Sequence, residues 1–119
     1  MHTQHLSPTS YHPDWVISLV KIWGNWCGPD WTGGQRVSAQ DYKGSWKAPC
    51  QDNLDCACRS HDLDASHPKG NSKAGDDALL RVAKQVALNP ITRIFNPEKA
   101  KAADAIILGI SVAKPFRKR

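Results

Sequence analysis

His61 and Asp62 close the run Asp55-Cys56-Ala57-Cys58-Arg59-Ser60-His61-Asp62, which offers a base, carboxylates and two thiols within a short stretch of chain. On a helix, neighbouring side chains point about 100° apart, so an adjacent histidine and aspartate cannot serve each other. That spacing predicts two separate tasks, a proton acceptor at His61 and a metal ligand at Asp62. In isolation such a pair reads more simply, as a buried core histidine beside a surface carboxylate, and its surroundings must decide. Cys56 and Cys58 lie about 200° apart on the same helix, so they neither pair with each other nor share one metal, and each must bond a different segment. Cys58 shares the face of His61, so whatever it bonds is held beside the base. If that partner is Cys27, the loop around Trp26-Cys27-Gly28 is pinned against Asp62, and Cys50 is left to close a short loop with Cys56.

A glycine-rich loop held against one carboxylate suits calcium, a hard cation that accepts backbone carbonyl oxygens among its ligands. The carbonyls of Trp26, Gly28 and Asp30 alternate along the loop and are the natural companions of Asp62. The histidine needs an orienting group, and Asp76 and Asp77 are the candidates. Asp76 shares a helical face with Leu79, Leu80 and Ala83, whereas Asp77 shares one with Leu80, Arg81 and Lys84, so Asp76 is expected to point inward. A carboxylate on an apolar face is costly unless paired, and an imidazole N–H would satisfy it. The plainer alternative for Asp76 is a first-turn charge at a helix N-terminus.

The elements that must position these residues are mostly helical. Apolar spacing predicts a first helix over residues 14–23, with Val16, Leu19, Val20 and Trp23 on one face and Pro13 just before it. Glycines 24, 28, 33, 34 and 44 then mark residues 24–49 as a long irregular loop, a length uncommon without a function. A second helix is expected over residues 51–66, with His61 on its buried side, and a third over residues 76–88, ending at Asn89-Pro90. The break at His67-Pro68-Lys69-Gly70-Asn71 is short and favours antiparallel neighbours. A last helix opens at Asn96-Pro97-Glu98 and runs to about residue 113.

The 119 residues fit a single domain, with a polar tail over residues 1–12 and a basic tail over residues 114–119 that reads as solvated. Four cysteines in so short a chain favour two disulfides and an oxidising destination. No secretory signal is visible at the N-terminus, and the longest apolar run, residues 105–113, is too short to cross a bilayer. Sixteen Lys and Arg against eleven Asp and Glu leave a net charge of +5, which suits an anionic partner.

These residues resemble the secreted phospholipase A2 superfamily. Trp26-Cys27-Gly28-Pro29-Asp30-Trp31 is similar to its calcium loop, and the Asp55 to Asp62 run to its Asp-x-x-Cys-x-x-His-Asp helix. The Trp-Cys-Gly element is closest in flavour to bee-venom members. The short interhelical link and Gly75-Asp76-x-x-Leu79 are closer to bacterial and parvoviral ones. The resemblance implies a mainly α, disulfide-stapled fold in which two antiparallel core helices carry the site, a Gly-rich calcium loop faces them, and further helices flank them at both ends. It implies calcium-dependent hydrolysis of the sn-2 ester of glycerophospholipids, with His61 as base, Asp76 orienting it, and Asp62 with the carbonyls of Trp26, Gly28 and Asp30 holding Ca2+. It further implies the Gly28 N–H as oxyanion donor, a Cys27–Cys58 disulfide that leaves Cys50 to Cys56, and an anionic phospholipid surface rather than nucleic acid as partner. Trp31 and Trp46 are then candidates for rings at the headgroup level. Secretion, or another extracytoplasmic location, follows.

Three features depart from the family pattern, the first being Ala57, which stands where many animal members have another cysteine, while Cys56 takes an unusual place. Asp30 stands where glycine is frequent, and Ala65 where a tyrosine commonly supports the catalytic acid. These last two keep open a catalytically silent protein that binds membranes or a receptor. A third reading is a zinc module built from Cys50, Cys56, Cys58 and His61, whose spacing matches no common paired zinc motif.

Overall fold

A computed structural model describes residues 21–119. The first predicted helix falls largely outside the described residues. Its described end is not helical, since Trp23 forms an isolated antiparallel bridge with Cys27.

Four helices dominate the described residues: α1 Asn53–Ala65, α2 Lys73–Leu88, α3 Pro90–Phe95 and α4 Pro97–Ala113. Each begins where a side chain can accept the free N–H groups of a first turn. Asp52, Ser72, Asn89 and Asn96 accept from Asp55, Gly75, Ile91 and Lys99 respectively. Pro90 and Pro97 then occupy first-turn positions, where a missing N–H costs nothing. α2 begins three residues before the expected Asp76, and α3 is an addition to the expected helices, since Asn89-Pro90 both ends α2 and caps a new start.

α1 and α2 are joined by the short link after Ala65, and their pairing runs antiparallel. Ser72 meets Asp64 while Asp76 meets His61, so partner numbers rise on one helix as they fall on the other. α2 packs against both α1 and α4. The core lies between them, with Leu54 and Cys58 from α1, Leu79, Ala83 and Val86 from α2, and Ala102, Ala103 and Ile106 from α4. Alanines on α4 let that helix approach closely, and its predicted apolar run is buried on one side only.

Residues 24–49 are ordered without a helix. A two-residue hairpin pairs β1 (Trp31–Thr32) with β2 (Gln35–Arg36), and an aromatic cluster fills the loop's interior. Trp46 stacks on Trp26 with centroids 5.6 Å apart, and Tyr42 meets both edge-on at 5.7 and 5.0 Å. The expectation that Trp31 presents its ring to a membrane is corrected here. Trp31 is buried, and its Nε1 donates to the Gly24 carbonyl at 2.9 Å, which satisfies the one polar group that would draw the ring outward. Trp46 is half-buried in the aromatic cluster.

The disulfides are Cys27–Cys58 and Cys50–Cys56. All four cysteines are thereby oxidised, which removes every thiolate from the zinc reading.

Asp55 ties the loop to α1. Its carboxylate, 0% exposed, accepts the backbone N–H groups of Asn25 (3.1 Å), Trp26 (2.9 Å) and Gln51 (2.8 Å). Gly24, at φ 58°, passes so close that a Cβ there would overlap the Asp55 carboxyl group. Asp55→Ala strands those donors in the interior and should cost about 3 kcal/mol or more in urea unfolding with disulfides intact, and Asp55→Asn distinctly less. Equal stability of Asp55→Ala and wild type would show that the loop is held by other means.

Candidate active site

A cavity of about 890 Å³ opens between the loop, α1 and the C-terminal segment. Trp26, Gly28 and Asp30 line it from the loop, His61, Asp62 and Ala65 from α1, and Ile106, Gly109 and Ile110 from α4. The two residues of the opening motif therefore share one hollow although their side chains diverge.

His61 is 12% exposed at its side chain, and its Nε2 lies 2.7 Å from Oδ1 of Asp76, which is fully buried in the first turn of α2. Arg117 reaches the same carboxylate, Nε donating to Oδ2 at 2.7 Å and Nη2 to Oδ1 at 3.2 Å. A carboxylate that receives a guanidinium acts as acceptor toward the ring as well, so Nε2 donates to Asp76 and a neutral ring keeps its lone pair on Nδ1. Asn71 braces the same residue by donating its side-chain N–H to the His61 carbonyl at 3.2 Å. Among the described residues no protein group bonds Nδ1, which is the geometry a general base needs.

Helical phase separates the two acids as the sequence implied. Asp76 turns inward to His61, whereas Asp77 is half exposed and pairs with Lys114.

Asp62 is placed differently. Its Oδ2 is sealed from solvent and has no hydrogen-bond partner among the described residues. Burial, and then the negative charge of nearby Asp55, push its carboxyl up to about 8. A carboxylate oxygen sealed from water and left without donors is relieved by a proton or by a cation. Among the described residues no cage of three or more His, Cys, Asp or Glu side chains forms, so a cation at Asp62 would draw its other ligands from backbone oxygens. Calcium accepts such ligands, and Trp26, Gly28 and Asp30 stand on the wall that Asp62 shares. The Gly28 carbonyl accepts the Trp31 N–H at 3.3 Å and retains a second lone pair. Asp30 sits at φ 52°, the left-handed region where glycine is easiest and aspartate is tolerated, so the turn it makes does not demand glycine.

The basic tail is the largest departure from expectation around the site. It had been read as solvated, but it crosses the α1–α2 link and docks. Lys114–Phe116 forms one turn of 3-10 helix, and Arg119 donates to the Gly70 carbonyl and to Asp64 at 3.0 Å. Its carbonyl accepts the Lys73 N–H at 3.0 Å. Phe116, Arg117 and Lys118 thereby become part of the cavity wall. Sequence reasoning missed Arg117 because no periodicity extends past Pro115, and a basic cluster at a chain end carries no sign of what it will touch.

Comparison with protein-family models, with curated proteins and with solved structures returns no match to this chain.

The raised Asp62 group makes a pH prediction. Unfolded, the carboxyl titrates at about 3.9; folded and free of cation, at about 8. Between those values the folded chain holds a proton that the unfolded chain has released, so stability falls as pH rises, by up to about 1.4 kcal/mol per pH unit. In calcium-free buffer, wild type should therefore lose stability relative to Asp62→Asn from about pH 4 to about pH 8. Parallel stability curves for the two proteins would show that Asp62 is not held in a charge-hostile position.

Proposed function

We propose that the protein is a calcium-dependent hydrolase of phospholipase A2-like fold, acting at a membrane surface on the sn-2 ester of glycerophospholipids to release a fatty acid and a lysophospholipid. The observation that carries this reading is the His61–Asp76 pair, 2.7 Å apart, with His61 on the wall of a cavity that Asp62 and the Gly28 loop also line. A base with its rear nitrogen fixed, beside a carboxyl group whose ionised form lacks donors, suits ester hydrolysis by activated water.

In this mechanism Nδ1 of His61 accepts a proton from a water that attacks the ester carbonyl. Asp76 keeps Nε2–H engaged, which holds the ring in one tautomer while the proton arrives. The backbone N–H of Gly28 donates to the carbonyl oxygen as it gains charge. Asp62 and the carbonyls of Trp26, Gly28 and Asp30 would hold Ca2+, whose charge would offset that of the substrate phosphate and of the developing oxyanion. The imidazolium then returns its proton to the departing glycerol oxygen.

The membrane-facing role passes from Trp31 and Trp46 to other residues. Phe116 is 82% exposed yet lines the cavity, with Leu108 and Val112 exposed along α4 before it. Lys69 and Lys118 stand on the same wall, so apolar side chains and positive charge meet at one rim, as an anionic lipid surface requires. Among the described residues no helix is long and apolar enough to cross a membrane. Two disulfides fit an extracytoplasmic destination, and secretion belongs to the proposal.

Fatty-acid release from mixed anionic vesicles, with calcium and with chelator, tests the reading directly. Release should require calcium and fall about 10²–10⁴-fold in His61→Gln. Vesicle binding without release would assign the catalytically silent alternative instead. Phe116→Ser should weaken vesicle binding, while hydrolysis of a dispersed short-chain lipid stays within about twofold. Undiminished binding would place the membrane face elsewhere.

A further inference from the structure

Asp76 carries more partners than a histidine alone requires. A fully buried carboxylate has two oxygens to satisfy, and the His61 ring engages only Oδ1. Arg117 takes the rest as a fork, at 2.7 Å to Oδ2 and 3.2 Å to Oδ1, so both oxygens are filled and the carboxylate plane is fixed. The guanidinium side chain is 21% exposed, so the contact is largely dry. Arg117 is itself held from both sides. Its N–H donates to the Lys114 carbonyl at 3.1 Å, Lys114 pairs with Asp77, and two residues on Arg119 is locked to Asp64 and Gly70. Ala65, one turn beyond His61 on the cavity wall, contributes only a methyl group to this neighbourhood.

We propose that Arg117 is a positioning residue of this site: it fixes the Asp76 carboxylate so that His61 is held in the Nε2–H tautomer with Nδ1 free, the support that Ala65 cannot give. The consequence for turnover rests on the hydrolase reading, whereas the consequence for the imidazole does not. A guanidinium fork holds two oxygens in one plane, which a single hydroxyl donor does not, and the chain end becomes a working part of the site.

The test follows the His61 ring itself. Long-range proton–nitrogen spectra of the full ¹⁵N-labelled chain, at pH 8 with calcium, read which ring nitrogen carries hydrogen. Thermal unfolding and fatty-acid release are measured on the same samples. Wild type should show one tautomer, Nε2–H. Arg117→Gln should show a mixture of tautomers, with kcat lowered about 10- to 100-fold and KM changed less than about twofold. Arg117→Lys keeps the charge but lacks the fork, and should recover part of the ring signature and of the rate. It also serves if Arg117→Gln fails to fold. An unchanged single tautomer in either folded variant overturns the proposal. Should wild type release no fatty acid while the ring still responds to Arg117, the positioning role stands and the hydrolase reading falls. Should wild type hydrolyse lipid while both variants keep its ring signature and kcat, the reverse holds.

Discussion

A carboxylate removed wholly from water must find donors, and Asp55 finds them in the backbone of the loop it faces. That demand draws Asn25 and Trp26 onto the first turn of α1 and forces the chain through Gly24, where a side chain would not fit. With Trp26 seated there, its indole N–H reaches the Pro49 carbonyl and its ring becomes the floor on which Tyr42 and Trp46 pack. The adjacent Cys27–Cys58 disulfide then repeats the attachment one turn further along α1. The loop wall of the cavity, with Gly28 and Asp30, is a consequence of these two anchors. The charge of Asp55 also bears on Asp62, so the group that builds the wall adds to the burial that pushes the Asp62 carboxyl up.

Three aspartates near one cavity thus resolve their burial in three ways. Asp55 is satisfied by backbone N–H groups, Asp76 by an imidazole and a guanidinium, and Asp62 by nothing among the described residues. The contrast is functional as well as energetic. Satisfied carboxylates are rigid and can orient other groups, as Asp76 holds the His61 ring at 2.7 Å, whereas an unsatisfied one favours its neutral, protonated form. Local order around the pair is reinforced by Asn71 and Arg119, which tie the α1–α2 link to both helices' ends.

Much of this was legible in the chain. Periodicity placed His61 and Cys58 on one face of α1 and separated Asp76 from Asp77 on α2, because helical phase depends only on spacing along the sequence. The candidate calcium-loop positions followed from the resemblance of two short motifs, and the structure brings them to the same cavity as His61 and Asp62. Trp31 was misread because an aromatic ring's exposure depends on whether its N–H finds an internal acceptor, and the acceptor is a backbone carbonyl that no side-chain pattern marks. The basic tail was misread for a related reason. Lysines and arginines at a chain end look solvated until a buried acid across the fold claims one.

By itself the sequence determined the local geometry of its strongest helices: which residues share a face, and that the base and its neighbour must answer to different partners. Tertiary structure decided the pairings across the chain. Arg117 meets Asp76 over a separation of 41 residues, and Arg119 meets Asp64 over 55. The physical reason is that backbone hydrogen bonding and side-chain sterics fix helical phase within a turn, whereas the partner of a buried charge is chosen by desolvation, which exists only once the elements have packed.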